Sequence, residues 1–200
     1  RRLGQFEHQD LANIAWSVSK LSVRDEPLLE SIAAAAIAPI REYIHQDLSN
    51  TAWSFATLAF PHEPLLESIS AAALPPLSEL GPQDLANTAW SFSTLQLQDS
   101  PLLTSIASAS MPKRMQFTSQ CIANTVWAWS ALALADLPLL DALSAASLST
   151  ISHFSAQSLA NTSWAFSPFA LGARPLLAAL ASASLDSMPA FGPQELANTA

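Results

Sequence analysis

Trp16, Trp53, Trp90, Trp127 and Trp164 stand 37 residues apart, and a period of that length held through 200 residues leaves few folds open. Two further series keep the same step. Asn13, Asn50, Asn87, Asn124, Asn161 and Asn198 form one, and Pro27, Pro64, Pro101, Pro138 and Pro175 the other. Such self-similarity marks a repeat architecture, in which each unit buries its apolar face against the next. The units run 9–45, 46–82, 83–119, 120–156 and 157–193. Residues 1–8 align with the tail of a unit, and 194–200 open another. The sequence therefore reads as a single stretch, 1–200, cut from a longer array.

Each unit reads as two helices. In Gln46–Leu58, Leu48, Ala52, Phe55 and Ala56 fall at i, i+4, i+7 and i+8, the spacing of one helical face. Gly81-Pro82 and Gly192-Pro193 place proline where a helix can begin, and Thr118 and Ser155 occupy the glycine column as candidate N-caps. The second helix opens at the recurrent proline, as in Pro64–Leu74, where Leu65, Ile69 and Leu74 mark the buried side. A loop of about six residues joins the two helices. Pro39 and Pro75-Pro76 predict an early end or a kink for the second helix in the first two units. The expected fold is all-α, an α-solenoid of stacked helix–turn–helix repeats. Ala and Ser runs along the second helices allow close approach, and no apolar run reaches the ~18–20 residues of a membrane span.

Composition narrows function by exclusion. Four glycines cannot build a phosphate-binding loop, and no G-x-S-x-G nucleophile motif occurs. One cysteine, Cys121, has no disulfide partner within the chain; it sits in the column of Asp10, Asp47, Asp84, Ser158 and Glu195 and reads as a surface thiol. His8, His45, His62 and His153 are too few and too scattered for a metal centre and read as solvated loop residues. No catalytic residue, metal site or cofactor is expected. The chain carries eight basic and sixteen acidic residues, a net charge of −8. Unit 46–82 holds four acids and no Lys or Arg, hence −4. In unit 83–119, Asp84 and Asp99 balance Lys113 and Arg114. Phosphate recognition by charge alone calls for the opposite balance.

The tryptophans admit two roles. As a column one residue beyond the alanines of the apolar stripe they read as a core spine between units, joined by Trp129 in place of Phe55, Phe92 and Phe166. The alternative is a set of stacking platforms for bases. Asp47, Asn50, Ser54 and Thr57 line up at i, i+3, i+7 and i+10 as a polar stripe. Repetition turns the stripe into rows: Asp10, Asp47, Asp84; Asn13, Asn50, Asn87, Asn124, Asn161; and Ser17, Ser54, Ser91. Such rows suit an extended ligand, RNA or peptide, although an asparagine ladder can also bond backbone or its neighbour in the next unit. The rows barely vary between units, so they suit backbone contact or one base type read repeatedly, and not a mixed code.

The phrase Gln83-Asp84-Leu85-Ala86-Asn87-Thr88-Ala89-Trp90-Ser91-Phe92, followed by Pro101-Leu102-Leu103, resembles the octotricopeptide and heptatricopeptide repeat families, relatives of the pentatricopeptide repeats. The resemblance covers essentially the whole chain and includes the 37-residue unit. It implies a helical-hairpin solenoid imported into a chloroplast or mitochondrion, binding single-stranded RNA in transcript maturation, stability, translation or ribosome assembly. It also implies that the first helices, with the asparagine row and Asp10, Asp47 and Asp84, face that RNA. The competing expectation is an acidic protein-interaction scaffold within a larger complex, resembling armadillo arrays. An accessory part of an enzyme ranks behind both.

Overall fold

The computed structural model describes residues 6–169, 173–188 and 192–194. Every regular element among them is helical. The longer helices are α1 (His8–Lys20), α2 (Glu26–Ile37), α3 (His45–Thr57), α4 (Glu63–Ala73), α5 (Pro82–Thr94), α6 (Ser100–Lys113), α7 (Ser119–Ala131), α8 (Leu137–Thr150), α9 (Ala156–Phe166) and α10 (Arg174–Ser187). Short 3-10 turns recur at Ile40–Glu42, Leu77–Glu79, Arg114–Gln116 and Ile151–His153. None of these helices is long and apolar enough to cross a membrane.

The chain divides into two compact units, 1–109 and 110–200. In the first, α1 packs on α3 and α3 on α5, while α2 packs on α4. In the second, α7 packs on α9 and α8 on α10. Within each unit, odd-numbered helices thus form one layer and even-numbered helices the other. Between the layers lie Leu11, Leu48, Leu85, Ile122 and Leu159 from the odd helices, and Ile32, Ile69, Ile106, Leu143 and Leu180 from the even ones.

Local chemistry sets the helix ends. Asp25, Asp99 and Asp136 accept a hydrogen bond from the backbone N–H three residues on, at 3.0, 3.0 and 3.1 Å, and His62 Nδ1 does the same for Leu65 at 3.1 Å. These caps satisfy donors that the helix itself leaves open. Thr118 and Ser155 cap α7 and α9 as their column predicts. The even helices open one residue before the recurrent proline, at Glu26 and Glu63, so that proline takes the second position. α2 and α4 are shorter than α8 and α10, in keeping with Pro39 and Pro75-Pro76.

α1, α3, α5 and α7 end alike. Ser22, Ala59, Gln96 and Ala133 adopt left-handed φ values of 53°, 49°, 58° and 54°. At each, the next residue's N–H reaches back to a carbonyl five residues earlier, as in Phe60 to Phe55 at 3.0 Å and Leu134 to Trp129 at 2.8 Å. This closes the Schellman arrangement usually built on glycine. The chain then reverses within five residues, as at 58–62, rather than six.

The tryptophan column is not in the core, against the sequence expectation. Trp16 and Trp164 are 44% and 47% exposed, and Trp53, Trp90 and Trp127 are half-buried. The core aromatics stand two residues later: Phe55, Phe92, Trp129 and Phe166 are each at most 2% exposed. The reason is angular. Each residue advances about 100° around a helix, so Trp53 lies about 140° from Leu48 whereas Phe55 lies about 20° from it. Trp129 is core, as its column requires.

Candidate functional site

An odd helix has little free surface. In α3 the apolar face meets the even helices, and the flanks meet α1 and α5. On α3 the flanks are Asp47, Ser49 and Ser54, all buried. What remains is an arc of about 60° holding Gln46, Asn50, Trp53 and Thr57, at i, i+4, i+7 and i+11.

The sequence-derived polar stripe therefore divides. Asn13 is exposed, and Asn50, Asn87, Asn124 and Asn161 are half-buried at the free arc. Ser54 and Ser91 are fully buried, and their hydroxyls donate to the carbonyls of Asn50 and Asn87 at 2.7 and 2.6 Å. Ser17 makes the same bond to Asn13 at 2.7 Å but stays exposed. Of the aspartates only Asp10 is exposed. Asp47 is 5% exposed and accepts from His8 Nδ1 at 2.9 Å. Asp84 accepts from Ser49 Oγ at 2.9 Å and lies 3.3 Å from His45 Nδ1, close enough to pair electrostatically. Asp47 and Asp84 thus tie one hairpin to the next.

That use corrects two expectations. His8, His45 and His62 are not solvated loop residues. The first two open odd helices against an aspartate on the next odd helix, and His62 caps α4 with Nε2 3.4 Å from Glu30. His153 is exposed, as expected. Cys121 is buried at 7% exposure, with Sγ 3.2 Å from the Thr118 hydroxyl, and so is no surface thiol. In the second unit the residues at the His8 and Asp47 columns are Ser119 and Ser158, joined at 2.8 Å. One inter-hairpin link is thus kept with changed chemistry.

Tyr43 packs beside His8, ring centroids 5.6 Å apart, with its hydroxyl buried and without a hydrogen-bond partner among the described residues. Burial raises its pKa far above the ordinary value near 10, and the Asp47 charge adds to the shift. Above pH ~10 the unfolded chain loses a proton that the folded chain keeps, so stability falls as pH rises toward the folded pKa, by about 1.4 kcal/mol per unit. Tyr43→Phe is expected to remove that alkaline loss and to stabilise at neutral pH by about 1 kcal/mol. Urea unfolding of both proteins at pH 7, 10 and 11 checks this; identical alkaline slopes would refute it.

Two columns complete the arc: the glutamines, which the sequence expectations pass over, and the indoles, for which base-stacking platforms are only the alternative to a core spine. Gln9, Gln46, Gln83, Gln120 and Gln157 are all exposed. The indoles lie alongside the amides. Trp53 and Trp90 sit 6.4 Å apart at 32°, and Trp127 and Trp164 sit 6.3 Å apart at 23°. Lys20 Nζ lies 5.6 Å from the Trp16 ring and 6.0 Å from that of Trp53, within cation–π range of both. The signal was present in the sequence: glutamine keeps the 37-residue step, four before asparagine and seven before tryptophan. Among the described residues no group of three or more His, Cys, Asp or Glu is placed to hold a metal.

Layered helical hairpins that carry amides and indoles on a partly exposed arc define an all-helical protein with a polar–aromatic face. The chain belongs to the family RESC6, described as RNA-editing substrate-binding complex 6 protein, whose model matches residues 1–198. No curated protein matches it.

Proposed function

We propose that this chain is a non-catalytic scaffold, a solenoid of five 37-residue hairpins, which binds RNA on the free arc of its odd helices as part of an RNA-editing complex. The observation carrying this reading is the repeated Gln–Asn–Trp arc, a partly exposed polar–aromatic surface outside the core that recurs in both compact units. The family description, which speaks of RNA-editing substrate binding, supports the same ligand. The 37-residue period and the Leu-Ala-Asn-Thr-Ala-Trp phrase support kinship with heptatricopeptide repeats. RNA-editing complexes are mitochondrial in kinetoplastids, so we place the protein in the mitochondrion and not the chloroplast. Of the sequence-derived contacts, Asn13, Asn50, Asn87, Asn124 and Asn161 stay in the proposed binding set, and exposed Asp10 and Ser17 lie at its edge. Filter binding of the 200-residue chain to single-stranded RNA at low salt tests the reading, with saturable retention expected. No retention at any salt would sink it.

A second reading, a scaffold for basic proteins, is favoured by one observation. A cleft of about 220 Å³ has Leu66, Phe92 and Leu97 as its floor and Glu63, Glu67 and Asp99 at its rim. Its acidic rim and apolar floor suit a lysine or arginine side chain. Protein crosslinks that survive RNase, together with a failed filter assay, would favour this reading.

A further inference from the structure

The free arc is almost uncharged. Across the glutamine, asparagine and tryptophan columns and the column of Lys20, Thr57, Thr94, Ala131 and Pro168, Lys20 alone carries charge. A surface that tracks an RNA backbone needs cations spaced along it. This one offers aromatic faces flanked by amide donors and acceptors.

That chemistry matches an unpaired base. A base presents a flat face to stack on an indole and an edge that an amide can meet with both a donor and an acceptor. In a duplex the faces are stacked away and the edges are paired. We propose, building on the RNA reading above, that each unit holds single-stranded RNA by its bases, through indole stacking and Gln or Asn contact to base edges. Phosphate contact in unit 1–109 comes from Lys20 at the edge of the row. Its ammonium is already held between Trp16 and Trp53. Because glutamine, asparagine and tryptophan do not change from hairpin to hairpin, every hairpin brings the same residue types to a base. Binding should therefore gain with strand length more than with sequence.

The salt dependence of binding separates this mode from phosphate tracking. One phosphate contact to a single strand gives a log–log slope near −0.7, an affinity loss of about threefold from 50 to 200 mM salt. Six contacts would cost several-hundred-fold over that range, by the same rule taken as roughly −0.7 each. Stacking on one indole is worth roughly five- to hundred-fold in affinity.

The test is fluorescence titration of the 200-residue chain with a labelled single strand, and with a duplex of equal length, across that salt range. Expected are quenched tryptophan emission on binding the single strand, at least tenfold weaker duplex binding and a shallow slope. Trp53→Ala should weaken binding at least fivefold. Gln46→Ala, at an exposed position that leaves folding intact, should weaken it about two- to tenfold. Circular dichroism verifies that each variant is folded, and the slope itself needs no variant. A steep slope, equal duplex binding, or full affinity in folded Trp53→Ala and Gln46→Ala would overturn base-face binding while leaving RNA binding in place. Failure to bind any RNA, or binding of basic peptide alone, would overturn both.

Discussion

Replacing Phe55 by alanine is expected to lower the free energy of unfolding by about 3–5 kcal/mol, whereas replacing Trp16 by alanine costs about 1 kcal/mol or less. Phe55 is completely buried between the layers, beside Phe60 at a ring separation of 6.0 Å. Its removal loses the transfer energy of the ring and leaves a cavity that rigid helices fill only in part. Trp16 is the larger residue, yet 44% of it already faces water, and its charged neighbour is Lys20. Size and hydrophobicity alone would rank the two the other way, so the comparison separates a core column from a surface column two residues away. Urea denaturation followed by circular dichroism gives both values. Equal losses would mean that the indoles hold the hairpins together, and the proposed binding face would then not exist.

His8→Ala should cost about 2 kcal/mol, although the residue opens a helix and is itself partly exposed. The loss falls on its partner. Asp47 is 5% exposed and would lose the 2.9 Å contact to Nδ1. A buried acceptor stripped of its donor bears its full desolvation cost. Adding Asp47→Asn to His8→Ala should recover part of the loss, because an amide is easier to bury than a carboxylate. The thermodynamic cycle through both positions should yield a coupling of about 1–2 kcal/mol. Gln9→Ala, one residue along and exposed, should change stability by no more than about 0.5 kcal/mol. Strictly additive effects at positions 8 and 47 would show the contact to be without energetic weight.

The period, the pairing of helices and most helix starts were legible in the sequence, because each is written locally. Proline, glycine and a capping Asp, Thr or Ser act on their own few residues, and repetition in every unit raises the signal above chance. The placement of Trp53, Asp47 and Ser54 was not legible, because it depends on neighbours distant in sequence. An isolated amphipathic helix has two faces. α3 has an apolar face, two flanks against α1 and α5, and one narrow free arc. Small polar residues such as Ser49 and Ser54 are buried where helices approach closely, and a bulky indole is excluded from the same places. The histidines were misread for the same reason: His8 and Asp47 meet across 39 positions of chain, a relation only the packed hairpins reveal.

The histidine–aspartate and serine–serine links carry a consequence for how such an array can grow or shrink. A joint accepts only certain neighbours, so the hairpins are not freely interchangeable bricks. On the repeat reading, excising 46–82 would bring His8 against Asp84, and the joint would close with its original chemistry. A hairpin from the second unit set after α1 would instead bring the Ser158-type hydroxyl to His8, where a carboxylate had been. Duplication and loss of hairpins in such a lineage are thus steered by matching connectors, which act as a grammar for the order of its parts.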